Sequence, residues 1–520
     1  MLVIEKYKSL ALKLNNPSRV LETIPTAQRL YVKDEMLVTV PHTLDEVRIL
    51  RNLGISAPSP ILHYYDWSGR YKPYEHQRNT AAFLTVHPKA LVLNDLGTGK
   101  SLSALWAADY LIELEQIRKV LIVSPLSTLE RVWGDAIFAD FPHRRAVVLH
   151  GTAQRRSKLL KTNADFYIIN HDGFTIMAPQ LVGMFDLIIV DEAAVLRNPS
   201  SQRFKTFRKF VDKDPNLWLW LMTGTPTPNE PTDAWALAQL VNSPVCPKSF
   251  TAFRDQVMMK FGMWKWIPRP ASTDIVRHVL QPAVRYTREE CLDLPDTVYQ
   301  TRKVELTPDQ KKHYTTMMRH LIAEVANEGT ITALNESVKV QKLNQLALGV
   351  AYGEDGECIE LDCKPRIDAV KEVIKEAGGK VIVFVPLTGT LRMLERELSK
   401  HWTVGVVNGG VPAGERNKIF HGFQNGSDPQ IIIAHPATMA HGLTLTAAST
   451  IVWYGPINSN EQYVQANGRV ERIGKRMASN VVHIEATELE RKMYQRLKNK
   501  QALQGLLLEL IRQETVRHES

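Results

Sequence analysis

Leu91-Val92-Leu93-Asn94-Asp95-Leu96-Gly97-Thr98-Gly99-Lys100-Ser101 decides how this chain is read. Its first residues are apolar and predict a short buried strand. Gly97, Thr98 and Gly99 then make a turn, Lys100 and Ser101 follow, and Leu102, Leu105, Ala108 and Leu111 recur at helical spacing. Strand, glycine-rich turn, Lys-Ser and helix is the arrangement that cradles phosphate. Its backbone N–H groups converge on phosphate oxygens, and the helix N-terminus adds positive potential. In that arrangement Lys100 reaches the β- and γ-phosphates and the Ser101 hydroxyl holds Mg²⁺. One position departs from the GxxxxGK[ST] spacing: Asn94 stands where the first glycine belongs. An ordinary glycine turn is the alternative, but the strand before and the helix after favour a nucleoside triphosphate site.

Composition bounds what surrounds this stretch. A chain of 520 residues is too long for one core, so two to four domains are expected. Hydrophobic content of 44% and charged content of 23% describe an ordinary soluble globular protein. The net charge of +9 favours a polyanionic partner without singling out nucleic acid. Cys246, Cys291, Cys358 and Cys363 are scattered, which reads as reduced thiols rather than a zinc site. No apolar run reaches the ~18 residues of a membrane span. The N-terminal MLVIEKYKSLALKL carries charges inside its apolar run, unlike a secretory signal. A cytoplasmic protein is expected.

From residue 60, short apolar segments alternate with helix-length segments. Strands are predicted at 90–94, 120–124, 146–150, 166–170, 187–191 and 218–223, the pattern of a parallel sheet covered on both faces. A second such block has strands at 380–385, 404–408, 430–435, 450–454 and 481–484. The expected organisation is a small N-terminal module at 1–59, a first α/β lobe at 60–241, helical insertions and linker at 242–363, and a second α/β lobe at 364–520. The C-terminal stretch near Leu506–Ile511 predicts a helix packed back on that lobe.

The second half of a nucleotide site follows the run Leu187-Ile188-Ile189-Val190. Asp191 and Glu192 stand at its C-terminal end, which in open α/β sheets faces the ligand crevice. Asp191 is suited to hold Mg²⁺, and Glu192 to orient and deprotonate an attacking water. Acids at the start of the next helix are the alternative.

At this point the chain resembles the Swi/Snf type of superfamily 2 helicases. Asp191-Glu192-Ala193-Ala194 is similar to the family's DEAD/DEAH box, and Arg197-Asn198 to the Lys-Asn after it. Gln77 matches the adenine-reading Q motif. Ser124-Pro125-Leu126-Ser127-Thr128 with Trp133 resembles motif Ia, and Asn170-His171 falls where the family touches the same nucleic-acid strand. Thr223-Gly224-Thr225-Pro226 with Asn229 resembles motif III. Arg285, Leu294, Pro295, Leu306, Gln310 and Tyr314 look like the segment between lobes. Val381–Phe384 resembles motif IV and His441-Gly442-Leu443-Thr444-Leu445 motif V. Gln465 to Gly474 is close to motif VI, with Arg469 and Arg472 three residues apart on one helix face. The phrasing is most similar to the compact members carried by tailed bacteriophages.

The resemblance implies two RecA-like parallel-sheet lobes in tandem and an ATP-dependent DNA motor. ATP and Mg²⁺ are the implied ligands, held by Gln77, Gly97, Thr98, Gly99, Lys100, Ser101, Asp191, Gly442, Arg469 and Arg472. Lys100, Asp191, Glu192, Arg469 and Arg472 are the implied catalytic residues, acting at an interlobe cleft. Ser124, Pro125, Asn170, Thr223, Gly224 and His441 are the implied nucleic-acid contacts. Duplex or branched DNA is the implied partner, with phage replication or recombination proteins beside it in a host cytoplasm. Alternatives stay open: an RNA helicase, a restriction-type motor subunit, or an ATP-dependent clamp that hardly moves. Ala194, where the family has His or Asp, keeps the clamp in play by altering how hydrolysis is coupled to motion. Asn94 is expected to tilt the strand end. Lys260–Arg269 interleaves bases with aromatics and reads as a small core of its own or as an added DNA contact or wedge.

Overall fold

The short apolar runs become the strands of two parallel sheets. In the computed structural model, described residues are 1–32, 35–67, 69–224, 226–227, 230–261, 265–291, 297–328, 333–352, 357–439, 445–470 and 479–499. The chain divides into two units, Met1–Cys291 and Leu292–Ser520.

The first unit holds a seven-stranded sheet. In spatial order its strands are Ala283–Val284, Lys89–Val92, Trp218–Met222, Leu187–Asp191, Val120–Ser124, Phe166–Asn170 and Ala146–Val148. Every pairing is parallel. Side chains alternate between two cores. Val92, Ile122, Ile168, Ile189 and Trp220 enter one, and Leu91, Leu121, Ile169, Ile188 and Leu219 the other. Both faces are therefore covered, which is why these strands are apolar throughout instead of alternating. Each such side chain contributes about 1.5–3 kcal/mol by leaving water.

Residues 1–41 add a four-stranded antiparallel sheet in the order Leu2–Ile4, Ser9–Leu12, Glu35–Pro41, Gln28–Val32. Leu10, Leu12, Val38 and Val40 from it share one continuous core with Val92 and Ile122, through Leu44, Val47 and Leu50 of helix Leu44–Asn52. This module thus extends the core on one face of the first sheet.

The second unit holds a six-stranded parallel sheet, in the order Val298–Lys303, Asn480–Glu485, Ala448–Trp453, Lys380–Phe384, Ile431–Ala434, Val404–Val407. Its inner strands too are buried on both faces. Ile382, Phe384, Ile451 and Trp453 point one way, and Val381, Val383, Val452 and Tyr454 the other. Inside it Arg366 and Glu490, 2% and 0% exposed, form a bidentate ion pair at 2.7 and 2.9 Å. Arg366 also donates to the Tyr454 carbonyl at 2.6 Å. Glu490 accepts from the Ala486 and Thr487 amides. The pair ties helix Lys364–Ala377 to helix Glu488–Lys498 across the sheet ends.

The stretch 242–363, expected as helical insertion and linker, contributes strands to both sheets: Ala283–Val284 to the first and Val298–Lys303 to the second. Within it, Met258–Phe261 and Lys265–Pro268 form an antiparallel hairpin. Trp266 packs against the core of the first sheet, with the Arg254 guanidinium 4.1 Å from its ring. Trp266 thus joins the core of the first sheet, where a small core of the segment's own or a DNA contact was expected; Trp264 lies outside the described residues. So does the helix expected near Leu506–Ile511. All four cysteines are free thiols. Among the described residues no helix is long and apolar enough to cross a membrane.

Candidate active site

The C-terminal ends of three adjacent strands of the first sheet converge. Lys89–Val92 runs into the glycine turn, Trp218–Met222 into Thr223-Gly224, and Leu187–Asp191 into Glu192. Gly97 and Gly99 adopt left-handed φ of 84° and 82°, which a side chain would resist. Gly99 has a second constraint: a Cβ there would lie 1.9 Å from Gln77 Nε2. Gly99 caps helix Lys100–Glu113, so Lys100 and Ser101 occupy its first turn.

The turn is braced from helix Glu75–Val86. Gln77 Nε2 and His76 Nε2 lie 3.1 and 2.8 Å from the Thr98 carbonyl. Gln77 Oε1 accepts from the Tyr74 amide at 3.0 Å. Both ends of the Gln77 amide are thus engaged within the protein, and the structure places this residue behind the turn as its support. His76 does the same work and carried no sequence signal of its own. Thr98, 1% exposed, closes the turn by donating to the Asp95 carbonyl at 2.8 Å. Lys100 Nζ donates to the Asn94 and Asp95 carbonyls at 2.8 and 3.0 Å.

Asp191 is held from three sides. Trp133 Nε1 donates to its Oδ2 at 3.1 Å, and the Glu192 amide to its Oδ1 at 3.1 Å. His171 Nε2 lies 3.0 Å from its carbonyl. Burial and the adjacent Glu192 carboxylate push the Asp191 carboxyl up to about 6, against the pull of Lys100 and the indole. Glu192 takes a left-handed φ of 51°, uncommon for a residue with a side chain. Such geometry clusters at functional sites. Trp133, fully buried, stands on a π-helical turn at Leu129–Gly134, a form concentrated at functional sites. Its sequence match to motif Ia did not point to Asp191; only the folded chain brings them together. Ala194, 1% exposed, contributes a methyl group to the interior.

Thr223 is buried, and Gly224 lies against the turn, its Cβ position 3.4 Å from the Asn94 carbonyl. These two residues, expected on nucleic acid, sit beside the glycine turn. Ser124 is fully buried and its hydroxyl has no hydrogen-bond partner among the described residues. Pro125 begins the segment leading to Trp133, its carbonyl accepting from Thr128 Oγ1 at 2.9 Å. Asn170 ends its strand with its side-chain oxygen held by Arg156 Nη2 at 3.2 Å. Gly173 leaves room for this pair, since a Cβ there would lie 2.6 Å from Asn170 Oδ1.

Arg469 belongs to the second unit. It is 3% exposed and donates through Nε to the Met439 carbonyl at 3.0 Å. Arg472, His441, Gly442, Thr225 and Asn229 lie outside the described residues.

Comparison with known proteins places the chain in a family. The SNF2-related domain matches residues 76–349, and the helicase conserved C-terminal domain matches residues 365–474. Protein p41 of Acyrthosiphon pisum secondary endosymbiont phage 1 is 26% identical over 470 residues, 85% of this chain and 98% of that protein. Nuclear protein STH1/NPS1 of Saccharomyces cerevisiae is 23% identical, covering 81% of this chain but 33% of its own length. The yeast ISWI chromatin-remodeling complex ATPase ISW1 is 23% identical, covering 85% of this chain and 41% of its own. The chain thus spans nearly all of the phage protein and well under half of the yeast proteins. Among solved structures, the Sulfolobus solfataricus SWI2/SNF2 ATPase core in complex with dsDNA has 21% identity and a TM-score of 0.41 over 83% of this chain and 92% of that chain. With the first domain matching more than half of its length, the chain belongs to the SNF2-related family of helicase-type ATPases.

Proposed function

We propose that this chain hydrolyses ATP at the strand ends of its first unit and uses the cycle to move along or remodel duplex or branched DNA. One observation carries the reading. The glycine turn with Lys100 and the pair Asp191-Glu192 follow the C-terminal ends of two strands of one parallel sheet that have a single strand, Trp218–Met222, between them. In this reading Lys100 exchanges two loop carbonyls for the β- and γ-phosphates. The backbone of Gly97, Thr98 and Gly99 wraps the phosphates, kept in shape by Gln77 and His76. The Ser101 hydroxyl and the Asp191 carboxylate are hard oxygen donors of the kind Mg²⁺ accepts while keeping several waters. Bound there, the ion would neutralise phosphate charge. Trp133 aims the Asp191 carboxylate, and Glu192 takes the proton of the attacking water. Arg469 and Arg472 are the arginines proposed to answer charge developing on the γ-phosphate, a contribution of ~10³–10⁵ in rate. Gly442 keeps its place in the nucleotide set.

For the DNA half, support comes from the net charge of +9 and from yeast relatives that include a chromatin-remodeling ATPase. Asn170 is the best supported contact, since Arg156 fixes the orientation of its amide. Gly224 and His441 complete the proposed set; Ser124, Pro125 and Thr223, also expected there, are buried and support the segment from within. Contacts of this kind go to the backbone, so little sequence preference and strong salt dependence are expected.

The deciding experiment measures ATP hydrolysis without nucleic acid and with single-stranded DNA, duplex DNA, a four-way junction and structured RNA, at low and moderate salt. Stimulation by duplex or junction DNA that fades with salt is the expected result. Stimulation by RNA alone would replace the motor's substrate. A flat low rate across all of them would favour the clamp.

A further inference from the structure

Asn94, the residue that breaks the phosphate-loop pattern, grips the segment by which the chain leaves the first unit. Strand Ala283–Val284 pairs in parallel with Lys89–Val92, and the pairing runs on past both strands. The Leu93 amide donates to the Val284 carbonyl at 2.8 Å and the Asp95 amide to the Tyr286 carbonyl at 2.9 Å. Asn94 is 1% exposed and uses both ends of its amide. Oδ1 accepts from the Tyr286 amide at 3.0 Å, and Nδ2 donates to Thr80 Oγ1 on the bracing helix at 2.9 Å. The Asp95 carboxylate accepts from the Arg288 amide at 3.3 Å and lies 3.9 Å from the Arg285 guanidinium. A glycine at position 94 makes neither side-chain bond. Beyond Cys291 the chain enters the second unit.

The link to the nucleotide is covalent. The Asn94 carbonyl, which accepts from Lys100, and the Asp95 amide, which donates to Tyr286, belong to one planar peptide group. That group cannot turn toward one partner without turning away from the other. Phosphate oxygens that draw the Lys100 ammonium from its two carbonyls therefore act on the peptide that holds Tyr286.

We infer that Asn94 and Asp95 are positioning residues of the ATPase cycle, which hold the strap 282–288 in register with the phosphate loop and pass the loop's state to the chain leading into the second unit. The inference rests on the ATP-site reading above. Its test is steady-state ATP hydrolysis by the full chain with saturating duplex DNA, alongside circular dichroism and limited trypsin digestion, which reads the strap at Arg285 and Arg288. Asn94→Ala is expected to lower kcat about tenfold with KM for ATP within about twofold, the signature of an interaction that matters after binding. Cleavage after Arg285 and Arg288 should quicken in the same variant.

Asp95→Ala removes a partly exposed carboxylate and carries the test if Asn94→Ala does not fold; a drop of about threefold in kcat with faster trypsin cleavage is expected. Unchanged kcat in the folded variants, or a loss lying wholly in KM, overturns the inference. Lys100→Ala separates the two levels. If it is inactive while Asn94→Ala and Asp95→Ala turn over normally, only the strap fails. If Lys100→Ala itself hydrolyses ATP normally, the site reading falls and the strap with it.

Discussion

In the first sheet the central strands run into Asn94-Asp95, Asp191-Glu192 and Thr223-Gly224; in the second they run into Val385-Pro386 and Tyr454-Gly455. Both sheets are parallel, and their inner strands are buried on both faces by the same alternation of apolar side chains. Charge is handled differently. The first unit sets acids and a lysine at the sheet edge, where a ligand can answer them. The second unit encloses its Arg366–Glu490 pair and satisfies it with neighbouring backbone. The same layering thus carries acids and a lysine just past the strand ends of the first sheet and, among the described residues, an enclosed ion pair between two helices of the second.

The largest expected effects test that division directly. Glu192→Gln or Lys100→Ala should lower ATP turnover by about 10²–10⁴-fold, in line with the loss of a general base or of charge stabilisation. The thermal midpoint should move little. Normal turnover in either variant would show that the first unit's edge is not the reactive one.

Next comes the enclosed pair. Arg366→Met should destabilise the second unit by about 3–5 kcal/mol, because Glu490 is left buried and unpaired. Urea unfolding followed by circular dichroism reads the loss. Replacing both residues with Met should recover much of it. A near-neutral Arg366→Met would mean the pair does not hold the sheet ends together.

A smaller effect is expected where the two kinds of role meet. Trp133→Phe keeps an aromatic ring, leaves a small cavity and removes one hydrogen bond to a carboxylate, the last typically about 1.5–3 kcal/mol. Only part of that should appear in the barrier, so kcat should fall about tenfold with KM for ATP nearly constant. A variant that loses stability but keeps kcat would make Trp133 a core residue only.

The smallest concerns pH. His483, hydrogen-bonded to Tyr463 and stacked on Tyr494, is pushed down to about 4 by burial and, less, by Lys498. The unfolded chain takes up a proton as pH falls below about 6.5, while the folded unit stays neutral until about 4. Stability of the second unit should therefore be intact above pH 6.5 and fall by about 1 kcal/mol per pH unit between 6.5 and 4. Urea midpoints measured across that range should show less of this slope in His483→Gln.

Local pattern made much of this legible. Apolar runs located the strands from 90 to 223 and from 380 to 484, to within a residue or two at their ends. The glycine turn with Lys100 and the pair Asp191-Glu192 stood out for the same reason: each is a contiguous stretch with its own physical signature. What did not stand out was long-range. Ala283–Val284 is only two residues long and is a strand because Lys89–Val92 offers it a free edge. Val298–Lys303 is largely exposed, so no apolar run announced it.

By itself, then, the amino-acid order determined the layering of both sheets and the place of the glycine turn, because side-chain periodicity and glycine conformation are local properties. Tertiary structure alone decided that Trp133 would aim Asp191, that Gln77 would brace the turn, and that Asn94 would bind Tyr286. Those are pairings between distant positions, and a hydrogen bond between them has no trace in either neighbourhood until packing brings the atoms within about 3 Å.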